Sequence, residues 1–159
     1  ACDWGLEYEL GSETPIYFVP RARALGRLNV LEGMRLSVQG RTGQAVDVWL
    51  AGIRFSQHIT QNGTFLSMLV AERVLTPTLD AIARAAPTVD STHRAQIQAA
   101  LRSLPDEGFA WDVAKAREQA LVDARLKQGQ QAMMPGDTQI RAVRQRIRAS
   151  RQQAIDATR

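Results

Sequence analysis

The sequence predicts an all-α fold of five to six antiparallel helices. Apolar residues recur at spacings of three and four along most of the chain. Gly40, Asn62-Gly63, Pro87, Pro105 and Met134-Pro135-Gly136 mark the breaks between these stretches, while Pro77 falls inside one. Strand signals are nearly absent. Connections of about two to eight residues set neighbouring helices antiparallel.

Residues 1–19 read as an ordered loop. Asp3, Glu7, Glu9 and Glu13 are mixed with Trp4, Leu6, Tyr8, Leu10, Ile16, Tyr17 and Phe18, and Gly5, Gly11 and Pro15 punctuate the run. The first helix is expected to begin at Pro20, a good first-turn residue, and to span 20–39. Its packing face should be Leu25, Leu28, Leu31 and Val38 with Ala24 and Met34, and Gly40 should stop it. A second helix over 43–60 places Val46, Trp49, Leu50 and Ile53 on one side. The third starts at the N-cap Thr64, with Phe65, Met68, Leu69, Val74, Leu79 and Ile82 as its core. Pro77 removes a backbone donor, so a kink or break is expected near Thr76. A fourth helix follows Asp90 or Ser91, buries Ile97, Leu101 and Leu104, and closes at Pro105. Helices over 109–127 and 138–157 flank the Met134-Pro135-Gly136 break. Residues 1–132 thus form a helical domain, and 133–159 a basic amphipathic helix, loosely attached or docked.

Within residues 28–55, small side chains stand at Gly33, Gly40, Ala45 and Gly52, and large ones at Leu36 and Trp49. Close helix crossing needs a small side chain at the contact, with a large one filling the adjacent hole. This spacing, over about residues 26–59, resembles one tetratricopeptide repeat; Asn29, Thr42 and Gln57 depart from that family's pattern. The resemblance implies a helical-hairpin stack that binds a protein or peptide. The opening CDWGLEYELG and the arginine- and leucine-rich helix after it also resemble an uncharacterised family of helical bacterial proteins, over about residues 2–85. That resemblance carries no activity. It implies an exported or envelope-associated setting. A separate alternative is an accessory domain of a larger envelope-associated protein.

Charge narrows the function classes. The 20 basic and 16 acidic residues leave +4, and all the basic residues but Lys115 and Lys127 are arginine. The excess is concentrated at the end: residues 1–119 carry 12 basic and 13 acidic side chains, and 120–159 carry 8 and 3. Arg141, Arg144, Arg148 and Arg151 form a stripe beside the apolar Ile140, Val143, Ile147 and Ala154, and Arg146 adds to it. Such a helix suits phosphate, so nucleic acid is a candidate partner through 138–159. Docking by its Ile/Val face with solvated arginines is the alternative. The acidic opening is a further candidate partner for this stripe.

Catalytic signals are missing. GxGxxG, GxxxxGK[ST], GxSxG, HExxH and ExxH do not occur. His58 and His93 stand far apart, and the single cysteine, Cys2, has no histidine near it. The residues therefore imply no metal site and no cofactor. No apolar run approaches the ~18–20 residues that span a bilayer. Glu72, inside an apolar run, needs a partner if buried; Arg35, Arg54 or Arg73 could supply one, with Glu32 joining in a polar pocket between the first and third helices. The reading that results is a non-enzymatic scaffold for a protein or peptide partner, with Arg35, Trp49 and Arg54 on the binding surface.

Overall fold

The computed structural model describes residues 18–127, 129 and 136–159, and the expected opening loop, with Cys2, lies outside them. The described chain is helical, with no strand: α1 (Phe18–Val38), α2 (Thr42–Ile59), α3 (Phe65–Ala85), α4 (Ser91–Ser103), α5 (Trp111–Lys127) and α6 (Asp137–Ala157). Short 3-10 turns, Thr60–Asn62 and Ala86–Thr88, close α2 and α3.

The core forms around α3. This helix packs against α1, α2, α5 and α6, and its side chains are buried nearly all round. Thr64 caps it: the Ser67 backbone N–H donates to Thr64 Oγ1 at 3.2 Å, and Ser67 Oγ accepts from the Thr64 N–H at 3.2 Å. Of the expected kink or break at Pro77, the break does not occur: α3 is one helix from Phe65 to Ala85. The ring sits on the exposed side, where water can serve the freed carbonyl, while Val74, Leu75, Thr78 and Leu79 hold both halves in the core.

The packing face of α1 is also not the one expected. Leu25, Leu28, Leu31, Met34 and Val38 point outward. The inward residues are Phe18, Ala22, Gly26, Gly33 and Leu36. The reason is closeness. At Gly33 the backbone lies so near the indole of Trp49 that an added Cβ would stand 2.1 Å from Nε1. At Gly26 a Cβ would stand 2.6 Å from Val74 Cγ2. A leucine face could not approach so closely. Asn29 adds one bond across the crossing, donating from Nδ2 to the Val48 carbonyl at 2.7 Å. α1 ends where Gly40 takes φ of +74°, as the stop signal required, and the Arg41 N–H returns to the Leu36 carbonyl at 2.9 Å.

Ile140, Val143, Ile147 and Ala154 of α6 are buried in the same core as α3. Gln98 Nε2 donates to the Thr158 carbonyl at 2.7 Å, tying α4 to the end of α6. α4 begins at Asp90, whose carboxylate accepts the His93 N–H at 3.0 Å.

Candidate functional site

The residues expected to form one binding surface do not converge. Arg35 lies exposed near the end of α1 and donates through Nε and Nη2 to both oxygens of Glu32, each at 2.7 Å. This bidentate bond holds the Glu32 carboxyl below the usual carboxylate range and raises the Arg35 guanidinium above its own. Trp49 is 1% exposed beneath Gly33 and offers nothing to a partner; it is a core residue. Arg54 does line a concavity.

That concavity is the groove between α2 and α4, an open space of about 580 Å³. Asp47, Arg54 and Gln57 come from α2, and Gln96 and Ser103 from α4; Leu50, Ile53, Ala99 and Ala100 supply apolar floor. Asp47 and Arg54 are seven residues apart, so they share one side of α2 two turns apart. Neither is in an ion pair among the described residues. Buried Leu50 and Ile53 anchor the α2 wall from behind. The groove thus offers one cation, one anion, several amide and hydroxyl groups and an apolar strip. Such a lining suits the backbone and side chains of a peptide. Sequence spacing marked Arg54 but could not supply Gln96 and Ser103, since the α2–α4 contact is long-range.

Glu72 is 3% exposed, and its partner is none of those on α1 or α2. Arg146 of α6 donates from Nε to Glu72 Oε1 at 3.0 Å, and Arg73 lies 3.4 Å from Oε2. The pair joins α3 to α6, so the polar pocket expected between α1 and α3 does not form around it. Glu32 is exposed and held by Arg35 instead. A partner 74 residues away leaves no local signal.

The arginine stripe of α6 is largely occupied. Arg144 and Arg148 both pair with Glu107. Arg151 donates to the Leu101 carbonyl at 3.1 Å, the Leu104 carbonyl at 3.4 Å and Asp106 Oδ1 at 3.2 Å. It thereby satisfies carbonyls at the end of α4, where a cation is favoured. Only Arg141 of the four has no partner among the described residues; it borders a cavity of about 220 Å³ with Lys115, Asp112, Trp111 and Phe65. His58 is exposed at the end of α2, while the His93 ring contacts Asp90 at 2.6 Å and packs beside Gly43. Among the described residues no three His, Cys, Asp or Glu side chains gather as metal ligands would, and no helix is long and apolar enough to cross a membrane. Compared with protein-family models, curated proteins and solved structures, the chain matches none.

Proposed function

We propose that this chain is a non-enzymatic scaffold that holds a protein or peptide segment in the α2–α4 groove. One observation carries the reading: Asp47, Arg54, Gln57, Gln96 and Ser103 converge over an apolar floor in a groove of peptide-binding size. In this reading α1 and α2, joined by residues 39–41, form an antiparallel tetratricopeptide-like hairpin, with Gly33 and Trp49 as its small and large contact positions. The close Gly33–Trp49 approach supports that likeness. Residues of Arg54's kind act as polar clamps, and the apolar strip accepts side chains of an extended or helical segment.

Nucleic-acid binding through 138–159 is less well supported, because Arg144, Arg148 and Arg151 are already matched by Glu107 and Asp106.

The test uses the full chain, since truncation before α6 would remove core residues. Wild type, Arg54→Glu and Ala99→Arg are immobilised and used to capture partners from a lysate, with and without nuclease. Both substituted side chains are exposed, so circular dichroism should match wild type. Loss of a protein partner with both variants supports the groove. Capture unaffected by either variant removes the groove from consideration. Capture abolished by nuclease moves the function to nucleic acid.

A further inference from the structure

Most of the large apolar side chains that the described chain leaves exposed stand on one helix. Leu25, Leu28, Leu31, Met34 and Val38 of α1 are 54, 61, 59, 42 and 90% exposed, while Leu66, Val113 and Leu126 are scattered over α3 and α5. Together the five present on the order of 500 Å² of apolar side chain, the upper end of what the largest patch on a monomer carries. They extend over ~20 Å of the helix axis.

The border of this stripe is cationic. Arg21, Arg23 and Arg27 are exposed and have no carboxylate partner among the described residues. At ~3.6 residues per turn, Arg21 and Arg35 fall on one side of the Leu28–Leu31 ridge, and Arg23 and Arg27 on the other. Glu32 is the one acidic residue of α1, and Arg35 holds it. Four arginines against one glutamate leave the helix at +3. Toward α3 the apolar surface continues into a cleft of about 260 Å³, lined by Gly26, Val30, Leu31 and Pro77 with Arg27 and Arg73.

Shape and charge decide what covers this face. Most of the stripe is the convex back of a single helix. A peptide is gripped between walls, as in the α2–α4 groove, whereas a convex ridge suits a broad and yielding surface. A second copy of α1 would set arginine against arginine in a desolvated contact, which is unfavourable. A bilayer of anionic lipid meets both features at once. Its acyl boundary takes the leucines at shallow depth, and its phosphates meet guanidinium groups on both flanks. Arginine suits such a flank, because its stem lies along apolar surface while its planar head reaches phosphate.

We infer that α1 is an interfacial helix that lies on an anionic lipid surface, with Leu28, Leu31, Met34 and Val38 entering the acyl boundary and Arg21, Arg23 and Arg27 on headgroup phosphates. The inference goes beyond the α2–α4 groove and does not depend on it.

The test uses the full chain and vesicles of phosphatidylcholine, alone or with one-third phosphatidylglycerol, and reads bound protein by co-sedimentation. Wild type should partition about tenfold or more in favour of the anionic vesicles. Leu28→Gln with Leu31→Gln keeps the charge and should lose about tenfold of that binding. Val113→Gln with Leu126→Gln, at exposed positions on α5, is the matched control and should bind as wild type does. Arg21→Gln, Arg23→Gln and Arg27→Gln together should lose about tenfold at low salt, and raising salt to about 0.5 M should weaken wild type likewise. Every substituted side chain is exposed, so circular dichroism should match wild type throughout. Equal binding to neutral and anionic vesicles, or binding to neither, would overturn the inference. So would a leucine variant that binds as well as the control, which would reduce the contact to the charge of the chain. Light scattering, and titration with a synthetic helical peptide of glutamate and leucine, address the other occupants. A dimer that the leucine variant dissociates, or saturable peptide binding without vesicle binding, would overturn the inference in favour of a second copy or an acidic peptide.

Discussion

Gly33→Ala tests the α1–α2 crossing most directly. The added Cβ would stand 2.1 Å from Trp49 Nε1, 2.6 Å from Cε2 and 2.7 Å from Cδ1. A buried indole cannot swing aside, because Trp49 is 1% exposed and wedged in the core. Overpacking of this kind costs about 1–3 kcal/mol, and so close a contact belongs at the upper end. Alanine in a helix interior returns about 1 kcal/mol relative to glycine. The net loss is therefore about 2 kcal/mol, a fall in Tm of roughly 4–8 °C for a chain of this size. Urea and thermal unfolding followed by circular dichroism measure it. Trp49→Phe, which removes Nε1 and shortens the ring, should relieve the clash, so the double variant should be at least ~1 kcal/mol more stable than the sum of its parts. Gly40→Ala is the control. It meets nothing within 4 Å and loses only the left-handed backbone at φ +74°, a cost of about 1–2 kcal/mol that Trp49→Phe should leave untouched. A neutral or stabilising Gly33→Ala, or strict additivity with Trp49→Phe, would refute the close crossing.

Other outcomes follow from the same contacts. Ile147→Ala, at a fully buried position on α6, should cost about 2–5 kcal/mol in urea unfolding, and a chain ending at residue 136 should lose cooperative unfolding altogether. Glu72→Gln should destabilise by about 1 kcal/mol, discounted because Arg146 is 47% exposed, and Arg146→Met should recover part of it; a fully additive double variant would mean that the two do not interact. The Asp90 carboxyl is held below its ordinary value first by the backbone N–H of His93 and then by the His93 ring. Its contribution is present above the ordinary aspartate range and is lost as pH falls through the lowered folded value. Asp90→Asn should therefore flatten the decline of Tm between pH 5 and 2, and an unchanged acid limb would exclude the pair as its source.

Local signals carried the helices well and the faces unevenly. Thr64, Asp90 and Gly40 mark element ends through their own side-chain or backbone chemistry, which is why those boundaries could be read. α2, α4 and α6 each have one apolar stripe, and that stripe is buried. α1 has two candidate faces, one of leucines and one of small residues. Hydrophobicity favours the leucines; the packing uses glycines, because a partner as large as Trp49 needs a flat surface. Pro77 misleads for a similar reason, since the penalty it carries is local and the burial that outweighs it is tertiary. For the candidate site, Arg54 was legible, but the opposite wall on α4 was not. The salt bridges that occupy the α6 arginines span from 37 residues, Glu107 to Arg144, up to 74, Glu72 to Arg146, beyond any periodicity.

That last point changes what the charge census means. A sequence pI near 10 and five arginines between 141 and 151 look like a phosphate-binding surface. In the fold, four of the five face a carboxylate: Arg144 and Arg148 face Glu107, Arg146 faces Glu72 and Arg151 faces Asp106. These contacts line the seam where α6 meets α3 and the turn after α4, so the excess charge of the last forty residues serves largely to fasten α6 to the body. A ligand phosphate would have to displace carboxylates that are already covalently tethered nearby, and the counterions released on binding would be few. Arg21, Arg23 and Arg27 of α1 are also without carboxylate partners among the described residues, and they lie beside exposed leucines. Cations bordering an apolar stripe favour a partner that is both acidic and hydrophobic over a nucleic-acid backbone, which offers charge without apolar surface.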